Sequence, residues 1–168
     1  MPKIIPVVMC TGQGAGLWPI ARETMPKQFI PLFGRDSTFQ RTLRLLSDPG
    51  VFDLPIVVTN AEQRFTVADQ LQAIGLRAEI VLEPAGHGAH SAAAIAAELG
   101  LARSEAALVG IFPADHVVQD GKLFVETCAR AAAAAAQGRL VAIGIPPCPP
   151  APAYGYIRTG AGNAEGGR

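Results

Sequence analysis

At 168 residues, with 49% hydrophobic and 17% charged side chains, the chain is long enough for one domain with a single core and too apolar for intrinsic disorder. Fourteen basic residues balance fourteen acidic ones, and no Lys/Arg cluster is present that could track a phosphodiester backbone, so nucleic acid is not an expected partner. Three cysteines without C-x-x-C spacing suggest neither a disulfide framework nor a zinc site and fit a reducing cytoplasm, while no signal-peptide core and no membrane-length apolar run is found.

The first predicted element is Ile4 to Met9, a nearly all-apolar run of the kind buried on both faces of a parallel sheet. It delivers a small-residue loop, Cys10-Thr11-Gly12-Gln13-Gly14-Ala15-Gly16. Its glycines allow backbone N–H groups to face phosphate oxygens, and Lys27, in Pro26-Lys27-Gln28-Phe29, is close enough in sequence to neutralise their charge. The loop is neither a P-loop, which needs G-K-[ST], nor a dinucleotide fingerprint, because Trp18-Pro19 follows in place of a helix; a plain turn is the alternative. Trp18, the only tryptophan, is expected to anchor the loop to the core, and Cys10 to be a small buried residue rather than a nucleophile. Ser37 caps a helix to about Leu46, with Phe39, Leu43 and Leu46 on one face.

Pro55 to Thr59 is a second strand, followed by Asn60 and Gln63 at capping-box spacing, a helix to about Ile74 and a C-cap glycine at Gly75. Ala78 to Leu82 is again strand-like. A loop from Glu83 to His90 leads to an alanine-rich helix from about Ser91 to Leu101, and its His87 and His90 are read as solvated rather than as a metal pair. Ala107 to Phe112 is the next strand. It ends at Pro113-Ala114-Asp115-His116, which places a carboxylate just past the carboxyl end of a strand, where ligands bind in open parallel sheets; capping of the turn is the alternative for Asp115, and His116 is expected to orient that turn. Asp120 caps a helix from about Leu123 to Gln137, whose Ala131–Ala136 tract suits close packing beside the Phe124 and Val125 anchors. Leu140 to Gly144 reads as a further strand, the prolines at 146, 147, 149, 150 and 152 as a semi-rigid connector, Tyr154 to Ile157 as a last short strand, and the glycine-rich end as a frayed tail. The alternation predicts an α/β fold with a mostly parallel, doubly wound, Rossmann-like sheet, on which the glycine loop, Glu83–Gly88 and Asp115 converge at one edge.

Seven stretches in order carry a resemblance: Pro6-Val7-Val8-Met9 into the glycine loop, Leu17-Trp18-Pro19-Ile20-Ala21-Arg22, Pro26-Lys27-Gln28-Phe29, Val57-Val58-Thr59-Asn60, Glu83-Pro84-Ala85-Gly86, Pro113-Ala114-Asp115-His116 and Tyr154-Gly155-Tyr156-Ile157. With them the chain resembles the sugar-phosphate nucleotidylyltransferases, and among these the mannose-1-phosphate guanylyltransferases often fused to a mannose-6-phosphate isomerase. The resemblance implies a nucleotide-diphospho-sugar transferase fold, truncated at its C-terminal side, with residues 1–145 as the nucleotide-binding α/β domain and 146–168 as connector, short strand and tail. It implies that Met9, Cys10, Gly12, Gly14 and Lys27 bind the nucleotide, that Glu83 and Gly86 lie near the base, that Asp115 holds Mg²⁺, and that Gly155 approaches the sugar. Lys27 and Asp115 are the implied catalytic residues. The implied reaction joins GTP and mannose 1-phosphate to give GDP-mannose and pyrophosphate, and a homo-oligomer or a complementing C-terminal chain is the implied partner.

The chain also departs from the family pattern. Gly16 stands where the family loop has arginine, and Glu-Pro-x-Gly is followed by His87-Gly88-Ala89-His90-Ser91 instead of Arg-Asn-Thr-Ala-Pro. Two alternatives follow: a catalytically inactive relative acting as a nucleotide-binding or interaction module, and a nucleotidylyltransferase for another base or sugar phosphate.

Overall fold

A computed structural model describes residues 3–10, 17–84, 89–146 and 155–158. The apolar runs become four parallel strands, β1 (Ile4–Met9), β2 (Ile56–Thr59), β3 (Glu79–Leu82) and β4 (Leu108–Pro113), in the order β3-β2-β1-β4. β1 pairs with β2 from Val7↔Ile56 to Met9↔Val58, and with β4 from Ile4↔Leu108 to Met9↔Pro113. A strand hydrogen-bonded on both edges and covered on both faces has to be apolar throughout, which is why Ile4–Met9 shows no alternation.

Four helices flank the sheet: α1 (Thr38–Leu45), α2 (Arg64–Ala73), α3 (Ala89–Arg103) and α4 (Gly121–Ala135). On one face Val8 and Val57 meet Phe39 and Leu43 of α1, Val67 and Leu71 of α2, and Cys128 and Ala132 of α4. On the other, Ile5, Val7, Ile56 and Val58 meet Ala96 of α3, with Ile95 and Leu99 packed beside it. The sheet is therefore doubly wound, as expected. After β3 the chain crosses back to lay β4 on the far side of β1. That reversal puts a switch point, and hence a crevice, at the carboxyl ends of β1 and β4.

The local signals account for the helix ends. Ser37 and Gln40 form both halves of a capping box on α1, and the Asp120 side chain accepts the Leu123 N–H at the start of α4. Gly75, at φ 67°, ends α2 in the left-handed conformation that lacks a Cβ penalty only in glycine. At Asn60 the box is half made: Asn60 Oδ1 accepts the Gln63 N–H at 2.8 Å, but the Gln63 side chain donates to the Glu23 carbonyl, and α2 begins one residue later. In the alanine tract it is Ala132 that is buried, beside Phe124 and Val125 as predicted.

Three expectations are corrected. Leu140–Gly144 is not a strand; it runs unpaired after Gly138, with Leu140, Val141 and Ile143 exposed, because apolar composition makes a strand only where an edge accepts it. Gly155, Tyr156 and Ile157 likewise form no strand, and Tyr154 lies outside the described residues. Trp18 is 77% exposed rather than an anchor. The turn in which Ile20 and Ala21 donate to the Leu17 carbonyl carries the indole outward and drives Ala21 into the core instead.

The fold generates two expectations for stability. Phe39 is fully buried with its ring edge-on to Phe29 at 5.4 Å, so Phe39→Ala should lower the unfolding free energy in urea by about 3–5 kcal/mol. Gly110 lies where an added Cβ would come within 2.8 Å of both Ile4 and Phe112 side-chain atoms; Gly110→Ala should cost about 1–3 kcal/mol by overpacking, in the same measurement.

Candidate functional site

The two residues that the sequence marks for phosphate and metal chemistry meet at the switch point. Lys27 Nζ lies 2.8 Å from Asp115 Oδ2, with side chains 39% and 34% exposed. At that exposure the attraction is screened by water and contributes no more than about 1 kcal/mol to the fold, so the pair opens readily. Its backbone supports are firm. The Ala114 N–H donates to the Met9 carbonyl at 3.1 Å, which extends the β1–β4 ladder one step and fixes the chain at Asp115.

Lys27 is held from the other side by its neighbour. Gln28 is buried, and its Nε2 donates to the Cys10 carbonyl at 3.1 Å, while the Gln28 carbonyl accepts from Thr38 Oγ1. Phe29 fills the core against Phe39, and its carbonyl accepts from Gln70 Nε2 at 2.8 Å. Gln70 is tied in turn to Ser37 and Gln40 at the start of α1. The 3₁₀ turn Lys27–Phe29, flanked by prolines and unable to join a sheet or a long helix, is thus fastened by amide side chains and one buried ring. Gln28 and Gln70 were not among the residues marked from sequence; a glutamine between a proline-bounded lysine and a phenylalanine was the available signal.

Cys10 closes the floor. Its N–H donates to the Val58 carbonyl, its carbonyl takes Gln28, and its thiol is buried. Burial, with the Asp115 carboxylate adding to it, pushes that thiol far above the ordinary range, and burial pushes Cys128 up to about 11. Both side chains are buried in the core. Met9 sits directly across from Pro113 and is half-buried.

Glu83 follows β3 at the same edge, its N–H donating to the Thr59 carbonyl. Two strand spacings, roughly 10 Å, separate β3 from β1. The Glu83 carboxylate is buried and accepts the Ser91 hydroxyl near the start of α3, so it faces the α3 side of the sheet. Between the two, Thr59 Oγ1 and Gln63 Oε1 are buried without a hydrogen-bond partner among the described residues. Beside Asp115, exposed His116 helps line a shallow cavity of about 350 Å³ with Asp36, Arg41 and Arg44. Gly155 is exposed, and among the described residues no atom lies within 4 Å of where a Cβ would be. Gly12, Gly14 and Gly86, with Gly16 and His87, lie outside the described residues.

The Nucleotidyl transferase family signature matches residues 5–167. The chain belongs to this family. It is 44% identical over 163 residues to the xanthan biosynthesis protein XanB of Xanthomonas campestris pv. campestris, covering 96% of this chain and 35% of that protein. It is 43% identical over 162 residues to the mannose-1-phosphate guanylyltransferase of Sinorhizobium fredii, covering 95% and 32%. The fold matches the crystal structure of a mannose-1-phosphate geranyltransferase from Thermus thermophilus with a TM-score of 0.67 and 31% identity, over 79% of this chain and 38% of that one. The chain thus spans about a third of the length of these nucleotidyl transferase relatives.

The buried cysteines give a direct check on the packing beneath this candidate site, Cys10 at its floor and Cys128 in the core. With both thiols buried, and burial raising their pKa, iodoacetamide at pH 8 should label Cys10 and Cys128 of the folded protein at least about 100-fold more slowly than after unfolding in urea, read by peptide mass spectrometry. Labelling of Cys10 at the unfolded rate would show that the floor is open.

Proposed function

We propose that this chain is the nucleotide-binding part of a guanylyltransferase that joins GTP and mannose 1-phosphate into GDP-mannose and pyrophosphate. The observation that supports it is the placement of Lys27 and Asp115 together at the carboxyl ends of β1 and β4, the edge where doubly wound sheets bind ligands, in a chain whose relatives include a protein of that name. On this reading the Lys27 ammonium faces the nucleotide phosphates, buried Cys10 and Gln28 with half-buried Met9 form an unyielding floor beneath them, and Glu83 shapes the base end of the cleft. The mannose 1-phosphate oxygen attacks the α-phosphorus in line and pyrophosphate leaves, so the side chains act by position and charge rather than by covalent chemistry.

Asp115 fits a shared Mg²⁺. Among the described residues there is no group of three or more His, Cys, Asp or Glu that would cage a metal, and a single part-exposed carboxylate suits an ion that keeps waters and takes phosphate oxygens as its other ligands. When bound, Mg²⁺ supplies neutralisation of phosphate charge.

A second reading is carried by Gly16, which replaces the family's loop arginine with no charge at all. Here the chain binds a guanine nucleotide without turning it over. The two readings separate in one set of assays. GTP with Mg²⁺ should raise the melting temperature in proportion to the logarithm of its concentration. Adding mannose 1-phosphate should then yield GDP-mannose and pyrophosphate, and Lys27→Met should lower that rate by about 10²-fold or more. GTP binding without product supports the second reading, and Gly16→Arg should then tighten GTP. No GTP-dependent shift overturns both.

A further inference from the structure

We propose that two copies of this chain associate by exchanging the run Leu140–Ile145, each copy adding its own run as a further strand on the outer edge of the other's β4. Two unmet features of one chain carry the inference. The first is the edge. β4 pairs with β1 on one side, and among the described residues no strand pairs with its other side. Its residues, Leu108-Val109-Gly110-Ile111-Phe112-Pro113, hold no charge, and Ile111 is exposed. Folded proteins guard an open edge with a charge, a proline, a bulge or a cover. The opposite edge of this sheet has a charge: Glu79 of β3 is held by Arg103 of α3 at 2.7 Å. β4 offers none, and its one proline, Pro113, is its last residue.

The second is the run itself. Leu140-Val141-Ala142-Ile143-Gly144-Ile145 is uncharged, β-branched at Val141, Ile143 and Ile145, and as long as β4. It leaves α4 by a turn at Gly138, φ 80°, and lies unpaired with Leu140, Val141, Ile143 and Ile145 exposed. Its own β4 is left open for the same run of another copy. Alternation decides how the two fit. In a strand Val141, Ile143 and Ile145 fall on one side, and Leu140, Ala142 and Gly144 on the other. Val109 and Ile111 likewise share the α3 side of β4, where Val109 packs on the core and Ile111 stays exposed. The bulky stripe of the run matches that side. Small Ala142 and Gly144 match the other, where Phe124 of α4 already lies against Phe112. Exchange in both directions closes a two-fold dimer. The exposed apolar side chains of both runs, with the two edges that receive them, would lose on the order of 1,500 Å² to the contact, the size of a stable interface. Neither half includes a residue of the nucleotide reading, so the two stand or fall separately.

Sedimentation velocity of the full chain from about 1 to about 100 μM should show a monomer–dimer equilibrium. Ile143→Lys changes an exposed residue outside the strands and helices, so it should keep the parent's circular dichroism and its melting temperature at low concentration, while weakening the dimer by about tenfold or more. Ile111→Glu should weaken it as much from the other half. Mixed in equal amounts, the two variants should regain a heterodimer, because one contact then keeps isoleucine on isoleucine and the other sets lysine against glutamate. A parent that stays monomeric over this range overturns the proposal, as does a dimer that Ile143→Lys leaves as tight as before or a mixture that gains nothing over its parts. A monomer whose melting temperature Ile143→Lys lowers by several degrees also overturns it, since that result means that the run pairs with its own β4. Should Ile111→Glu fail to fold, Ile143→Lys decides alone.

Discussion

The parallel pairing of β1 with β4 is the contact on which the rest of the molecule depends. It joins an N-terminal strand to one whose paired residues lie 104 positions later (108 − 4, from Ile4↔Leu108), and it satisfies the edge of Ile4–Met9 that β2 leaves open. Once β4 is laid against the free edge of β1, the sheet order reverses there. The crevice at that reversal is a consequence of strand order and not of any residue in it. The one-step extension of the ladder by Ala114 then brings Asp115 to the rim, and Gln28 brings Lys27 to meet it.

The segment that carries Lys27 shows how an irregular stretch is made rigid. Prolines at 26 and 31 remove it from any ladder, so its backbone groups need other partners. Buried Gln28 and part-buried Gln70 supply them, because an amide both donates and accepts without carrying a charge that would have to be desolvated. Gln28 reaches β1, while Gln70 reaches Phe29 from α2 and is itself held by Ser37 and Gln40 of α1. The result is a fixed base under a mobile charged tip. That division lets a lysine exchange partners without moving the fold.

Opposite charges at the rim leave the site balanced in the same way that the whole chain is balanced. A lone lysine at that position would attract any anion, and a lone aspartate any cation. Held together at 2.8 Å, the two partly satisfy each other.

Much of the architecture was legible in the sequence. The runs Ile4–Met9, Pro55–Thr59, Ala78–Leu82 and Ala107–Phe112 mark strands by their β-branched and apolar content, with β1 and β2 buried in the middle of the sheet and β3 and β4 part-exposed at its edges, and Ser37, Gly75 and Asp120 mark helix ends because orphan backbone groups and a left-handed turn demand those side chains. Lys27, Glu83 and Asp115 could be marked one at a time from the loops they occupy. Tertiary structure alone decided that Lys27 and Asp115 form a pair, that Glu83 turns to Ser91, that Gln28 is a buried clamp, that Trp18 faces outward while Ala21 enters the core, and that Leu140–Gly144 finds no strand partner. The physical reason is the same in each case. Local sequence reports what a segment must hide and where it must turn, whereas the partner it meets is set by strand order and crossover, which depend on contacts between residues distant along the chain.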